Sequence, residues 1–398
     1  MAAALASPFN DKAKAFTEGR KGLFQRVQQE LKNETAKHIW FHCSSYGEYE
    51  QGKPVLQQIK KQFPEYKIAL TFFSPSGYKQ GIKENLADYI FYLPCDSSNN
   101  ARQWLDYINP HMAIFVKYDF WFHYMKELNK RSIPFIYISA IFRIDQFFFK
   151  WYGGAFLKEL KKATRFFVQN KSSLNILKQE GITQVEVSGD TRFDRVIQLP
   201  ELAFTDEKIE SFIAEKRVIV AGSTWPEDHK LLAAYCNSEE IKLILVPHEI
   251  HESSFKDFVS ACKKNVMCYS KASQEELIKA DVLIIDKIGM LSKIYRFATI
   301  TYIGGGFGKG IHNTLEAAVY GKPVIFGPNY QKFEEAKQLI ESGGAFTINN
   351  FIEMKTVFDD LLNNNRKLAQ AGEISQNVVK SNAGATSIIA NWLQNQLQ

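Results

Sequence analysis

The stretch "HIWFHCSSYGEYEQGKPVLQQIKKQF", His38 to Phe63, decides the fold. His38 to Cys43 is an apolar run too even to leave one face wet, so it reads as a strand buried on both sides. The segment "YEQGKPVLQQIKKQF" that follows has helical spacing. Between them, Ser45 and Glu48 stand three residues apart, the spacing of a capping box, in which hydroxyl and carboxylate each satisfy the other residue's backbone amide. Glu48 therefore has two readings. It closes a helix cap, or it is a carboxylate placed at a strand's end to take a proton.

The same strand, loop and helix unit recurs along most of the chain. Further strands are expected at Lys67 to Phe73, Tyr89 to Leu93, Met112 to Val116, Phe135 to Ile138, Arg165 to Val168 and Val185 to Ser188. The rhythm pauses over Phe193 to Phe212 and resumes with "RVIVAGS", "IKLILVP", "DVLIID", "ITYIGGG" and "PVIFGP". Apolar strands alternating with helices build parallel sheets covered on both faces. The expected class is α/β, with two doubly wound Rossmann-like domains at 1–195 and 196–375 and a terminal helix within 376–398 that packs back on the first. Ligands of such sheets bind beyond the carboxyl ends of the strands, so two facing domains place the chemistry in a cleft between their loops.

Composition narrows the partners. At 398 residues, with 45% hydrophobic and 23% charged residues, the chain suits two globular domains. Five scattered cysteines without a Cys-x-x-Cys pair argue against a disulfide framework or zinc site and favour a reducing compartment. Residues 1–195 hold 28 Lys and Arg against 19 Asp and Glu, while the remainder holds 21 against 24. A basic first half suits nucleic acid, a membrane surface or a phosphorylated substrate, or is simply solvated charge. No run approaches the roughly 18 apolar residues of a membrane span. The aromatic segment "FRIDQFFFKWYGGAF", Phe142 to Phe156, suits either a membrane interface or a helix half buried in its own core.

The loop with most chemical content is "YIGGGFGKGIHNTLEAAVYGKPVIFGP", Tyr302 to Pro328. Gly304, Gly305 and Gly306 end a strand, Gly308 and Gly310 bracket Lys309, and a helix is expected near His312-Asn313-Thr314. Glycines admit an anion close to the backbone and a helix start offers unbonded amides, the form of a phosphate cradle. Glu316, in that helix's first turn, would hold ribose hydroxyls or favour the dipole. Ser223 and Thr224, before Pro226, form a second anion-binding candidate. His248 and His251, after "LILVP", suit a metal, an anion or a cleft histidine satisfied by neighbours. The chain has no Gly-x-Ser-x-Gly elbow, His-Glu-x-x-His or Asp-x-Asp, which leaves a metal-free reaction on a nucleotide-activated substrate.

With those loops in view, the chain resembles the 3-deoxy-D-manno-octulosonic acid (Kdo) transferases of lipopolysaccharide synthesis, GT-B glycosyltransferases that use CMP-Kdo. The resemblance runs in order through "GRKG" (Gly19 to Gly22), "SSYGE" (Ser44 to Glu48), "TFFSPSGY", "YLPCD", "GDTRFD", "GST" (Gly222 to Thr224), "DKIGML" (Asp286 to Leu291), "GGGFGKGIHNTLEAA" and "GKPVIFGP". It implies that Glu48 is the base deprotonating the acceptor hydroxyl. It implies that Ser223, Thr224, Gly304 to Gly306, Lys309, His312, Asn313 and Glu316 hold CMP, and that Arg20, Lys21, His248, Gly289 and Met290 contact donor or acceptor anions. The implied partners are CMP-Kdo, lipid IVA and an anionic inner-membrane surface on its cytoplasmic face, with no nucleic acid, cofactor or metal. A hydrophobic anchor commonly precedes such domains, and "MAAALA", Met1 to Ala6, would stand in its place. Three elements depart from the pattern: Pro-Arg-His stands as Pro247-His248-Glu249, Glu-x-Glu-Leu-Trp as Lys117-Tyr118-Asp119-Phe120-Trp121, and Gly-Glu-Leu as Gly289-Met290-Leu291. The competing readings are another GT-B transferase or epimerase using a UDP-sugar, or a non-catalytic two-lobed binding protein.

Overall fold

The computed structural model describes residues 11–397, so Met1 to Ala6 lie outside the described residues. The chain divides into two compact units, residues 1–195 with 383–398, and residues 196–382.

In the first unit, β1 (His38–Cys43), β2 (Lys67–Phe72), β3 (Tyr89–Tyr92), β4 (Pro110–Val116), β5 (Phe135–Ala140), β6 (Arg165–Val168) and β7 (Val185–Val187) form one sheet in the order β3-β2-β1-β4-β5-β6-β7. Every pairing is parallel, with Trp40 opposite Ala69 on one side and Ala113 on the other. The period of two along β1 feeds two cores. Ile39, Phe41 and Cys43 join Ile114, Val116 and Ile136, while Trp40 joins Phe115 and Tyr137 on the opposite face. This double burial is the reason the strands read as unbroken apolar runs.

The second unit repeats the plan with β8 (Val218–Thr224), β9 (Lys242–Pro247), β10 (Val266–Cys268), β11 (Val282–Ile284), β12 (Ile300–Ile303), β13 (Val324–Phe326) and β14 (Ala345–Thr347). Its order is β10-β11-β9-β8-β12-β13-β14, again all parallel. The expected fold, two doubly wound α/β domains, is borne out. The edge strands β10 and β14 were not expected. Each is three residues long and only partly covered, so neither shows the apolar run of a central strand.

The closing helix, Ala385–Leu397, lies in the first unit, where Ile389, Leu393 and Leu397 enter the core beside Val55 and Leu56. Asp194 caps its start, accepting from Gly384 N at 2.5 Å and from Thr386 N and Oγ1 at 2.7 and 2.8 Å. The chain crosses between units at 382/383 rather than 375/376, because the helix Asn365–Asn382 is fastened to the second unit. Ser375 Oγ donates to Gly344 O at 2.7 Å, and a Cβ on Gly372 would come within 2.2 Å of Gly321 O. All five cysteines are free thiols. No helix among the described residues is long and apolar enough to cross a membrane.

Strand order reverses between β1 and β4 in the first unit and between β8 and β12 in the second. These are the switch points at which doubly wound sheets bind ligands.

Candidate active site

At the first switch point, β1 ends at Cys43 and Ser45 caps the helix Tyr46–Gln62. Ser45 Oγ accepts from Glu48 N at 3.4 Å, and Glu48 Oε2 accepts from Ser45 N at 2.7 Å and from Ser45 Oγ at 3.0 Å. The capping-box reading is therefore correct as geometry, and it fixes the carboxylate on the loop that follows β1. A Cβ on Gly47 would meet nothing closer than Ser45 Oγ at 3.9 Å. The space beside Gly47 is open.

From the end of β4 comes Asp119, a buried carboxyl that accepts from Ser44 N at 2.9 Å and from Ser44 Oγ. Behind it lies a buried relay. Trp40 Nε1 donates to Thr71 Oγ1 at 2.8 Å, and the same hydroxyl hydrogen-bonds with His42 Nδ1 at 2.7 Å. His42 Nε2 lies 3.6 Å from Asp119. Burial pushes the His42 pKa down to about 3, so the ring is neutral. Burial raises the Glu48 pKa against the hydrogen bonds from Ser45 and the charge of Lys117. Asp119 is pushed well above the carboxylate range, first by burial and then by Glu48. Two neighbouring carboxyls do not both ionise easily, and the upward shift is the larger at Asp119. Lys117, the first residue after β4, holds φ +64°, a left-handed backbone that costs a non-glycine residue on the order of 1 kcal/mol.

The second switch point gathers the loops after β9, β8 and β12. Ser223, near the end of β8, has φ +53°, a left-handed backbone like that of Lys117. Thr224 is buried, with Oγ1 2.9 Å from His229 Nε2. The helix Pro226–Ser238 is capped at Trp225, not by Ser223 or Thr224. Asp228 reaches back to Trp225 N at 2.8 Å and also accepts from Gly305 N at 2.9 Å and Tyr302 Oη at 2.6 Å. It ties the β8 loop to the β12 loop, a role that sequence reading missed.

The glycines serve close backbone packing first. A Cβ on Gly304 would lie 2.4 Å from Ser223 O, and one on Gly306 would lie 2.6 Å from Gly327 Cα. Gly305, at φ +90°, turns the chain. Two of their amides are already engaged, Gly304 N with Gly222 O at 2.9 Å and Gly305 N with Asp228. The cradle expected of them is correspondingly narrower, because one amide is taken by the neighbouring strand and the other by Asp228. The expected helix is also a single turn, Leu315–Ala318, with Asn313 Oδ1 accepting from Leu315 N at 3.0 Å. So short an element carries little macrodipole. Lys309 is exposed on the loop, and Glu316 is half-buried on the turn.

Three rings lie at this second switch point. His312 and Trp225 lie nearly coplanar, 9° apart, with Trp225 Nε1 donating to His312 Nε2 at 3.0 Å. His248 stacks on both, with centroids 4.6 Å from Trp225 and 4.4 Å from His312. Burial, then His248, lowers the His312 pKa to about 4. Trp225 was not expected here; its one sequence signal is its place directly after Ser223-Thr224. Gly289, at φ +84° and exposed, and buried Met290 lie on the loop after β11.

Of the remaining candidates, Lys21 is exposed in the first unit. Arg20, expected as an anion contact, is held as a clamp on backbone carbonyls. It donates to Leu93 O at 2.9 Å, Phe16 O at 3.1 Å and Phe73 O at 2.7 Å, and its guanidinium lies 3.8 Å from the Phe16 ring centroid. The carbonyls of Phe73 and Leu93 follow β2 and β3 and need a donor that the parallel ladder no longer supplies.

Residues 19–195 match the family model described as 3-Deoxy-D-manno-octulosonic-acid transferase (kdotransferase). A 3-deoxy-D-manno-octulosonic acid transferase of Rickettsia felis is 27% identical over 369 residues, covering 89% of this chain and 78% of that protein. The enzyme of the same name from Aquifex aeolicus is 28% identical, covering 81% and 86%. Among solved structures, UDP-GlcNAc 2-epimerase from Neisseria meningitidis superposes with TM-score 0.64 over 90% of this chain and all of that one, at 17% identity. That likeness concerns fold, and the fold is of the GT-B class.

Proposed function

Because the chain is a relative of the Kdo transferases, we propose that it moves Kdo from CMP-Kdo to a hydroxyl of the lipid A precursor lipid IVA, with inversion, at the cytoplasmic face of a bacterial inner membrane. Glu48 is the proposed general base. It takes the proton as the hydroxyl oxygen attacks the anomeric carbon of Kdo, and the bond from that carbon to the phosphate breaks with its electron pair leaving on CMP. Ser223, His312, Asn313 and Lys309 are the proposed phosphate and nucleotide contacts, with Glu316 on the ribose. Gly304 to Gly306 and Thr224 shape that surface, while Lys21, His248, Gly289 and Met290 remain proposed anion contacts.

One observation carries the reading: the Glu48 carboxyl on the loop after β1 and the buried Asp119 carboxyl from the loop after β4 both stand at the switch point of the sheet, each with its pKa raised by burial. A raised pKa makes the Glu48 carboxylate a stronger base than that of an ordinary glutamate.

The test is to incubate the protein with CMP-Kdo and lipid IVA and weigh the lipid product. Wild type should add Kdo, and the addition should continue in EDTA. Glu48→Gln should lose about 100- to 10,000-fold in turnover while CMP still raises its melting temperature. Near wild-type turnover by Glu48→Gln rejects the base assignment. A larger thermal shift with UDP than with CMP rejects the donor in favour of a UDP-sugar.

A further inference from the structure

The Trp225 indole has one polar atom, and that atom can only donate. At 3.0 Å from His312 Nε2, it obliges this nitrogen to be the acceptor, so the imidazole proton sits on Nδ1. The ring is held from three sides. Its backbone amide donates to Gly304 O at 3.2 Å, its edge faces Gly305, and His248 lies across it. We propose that Trp225 is a positioning residue that locks His312 in its neutral Nδ1–H tautomer, so that the ring offers a fixed, uncharged N–H to a phosphoryl oxygen of the bound nucleotide.

Free imidazole side chains in water favour the opposite tautomer, with the proton on Nε2. Without a donor on Nε2, His312 would spend much of its time with Nδ1 as a lone pair facing an anion. A neutral donor also has a physical advantage at this position. It stabilises charge that appears on a departing phosphate without binding the product as tightly as a cation would. The low pKa of His312 agrees with this state, and the groups facing the ring are His248, Trp225 and the glycine backbone rather than a carboxylate.

The inference rests on the proposal that His312 meets the donor, and its test separates the two. Nitrogen-15 spectra of the histidine-labelled full chain, with His312 among its eight histidines identified through His312→Asn, should show a bare Nε2 and a protonated Nδ1 at pH 7. Trp225→Phe keeps the ring and removes the donor; the Nε2–H form should then become dominant, and kcat with CMP-Kdo should fall about tenfold. That loss is smaller than the roughly 100- to 1,000-fold expected when a donor is deleted outright. Asparagine places an amide N–H where Nδ1 stood, so Trp225→Phe in the His312→Asn background should cost less than twofold. A protonated Nε2 in wild type overturns the lock, as does an unchanged tautomer in Trp225→Phe. A tautomer change with unchanged kcat overturns its use in the reaction. If wild type does not turn over CMP-Kdo, the proposed function fails, while the spectra still decide whether Trp225 sets the tautomer.

Discussion

Glu48 and Asp119 are costly residues to bury, and the cost has a sign that can be measured. Both carboxyls bind their protons more tightly folded than unfolded. Their contribution to stability is therefore complete below the ordinary carboxyl range, about pH 4, and is lost as pH rises through the raised folded values. Glu48→Gln removes the buried charge and keeps a cap acceptor, since glutamine also closes a capping box. It should melt above wild type at about pH 7 to 8, with the gap closing toward about pH 4; a lower melting temperature at neutral pH would contradict the assignment. The acid limb of kcat/KM should lie above that of an ordinary glutamate and move higher still in Lys117→Met, because Lys117 favours the ionised form. At this scale the cap and the carboxylate were legible in "SSYGE", whereas Asp119 was visible only as a departure from a family pattern. Ser44 and Asp119 are 75 residues apart, so no local spacing links them.

At the scale of elements, the loops after β8, β12 and β13 meet backbone to backbone. Gly304→Ala would drive a methyl into Ser223 O, and the neighbouring strand cannot shift without opening the sheet. Overpacking of this kind costs about 1 to 3 kcal/mol. Gly308→Ala, whose Cβ would lie 3.7 Å from the nearest atom, should be nearly neutral. Urea unfolding of the two variants checks the contrast; equal stability would mean that the glycines are not kept for packing. The sequence marks this loop clearly, because so many glycines after an apolar strand need a reason. What it does not disclose is that the amides of Gly304 and Gly305 are already bonded, or that the following helix is a single turn. Both depend on which strands lie alongside β12.

For the whole molecule, the basic first unit carries an apolar surface feature that composition alone left open. The segment from Phe142 divides: Phe142 and Phe148 enter the core, while Ile144, Trp151 and Tyr152 are 61%, 94% and 62% exposed, beside Arg143 and Lys150. Aromatic tips among cations suit an anionic bilayer interface. Trp151→Ala combined with Tyr152→Ala should weaken flotation with phosphatidylglycerol-containing vesicles about tenfold or more, given the apolar area removed. Rising salt should weaken wild type as well, because the Debye length shrinks from about 10 Å at 0.1 M. Unchanged flotation would show that this surface does not meet the membrane.

The sequence by itself determined the alternation of strands and helices, the class of fold, the capping box around Glu48 and the identity of the loops that could bind anions. Those properties follow from local spacing and from the need of doubly covered strands to be apolar throughout. Only the tertiary structure decided which side chains share a site. It set Asp119 behind Glu48 because β4, not β2, continues the sheet beyond the switch point, and it joined Trp225 to His312 across 87 residues because β12 lies beside β8. Strand order is a property of the whole sheet's packing, so no single segment encodes it.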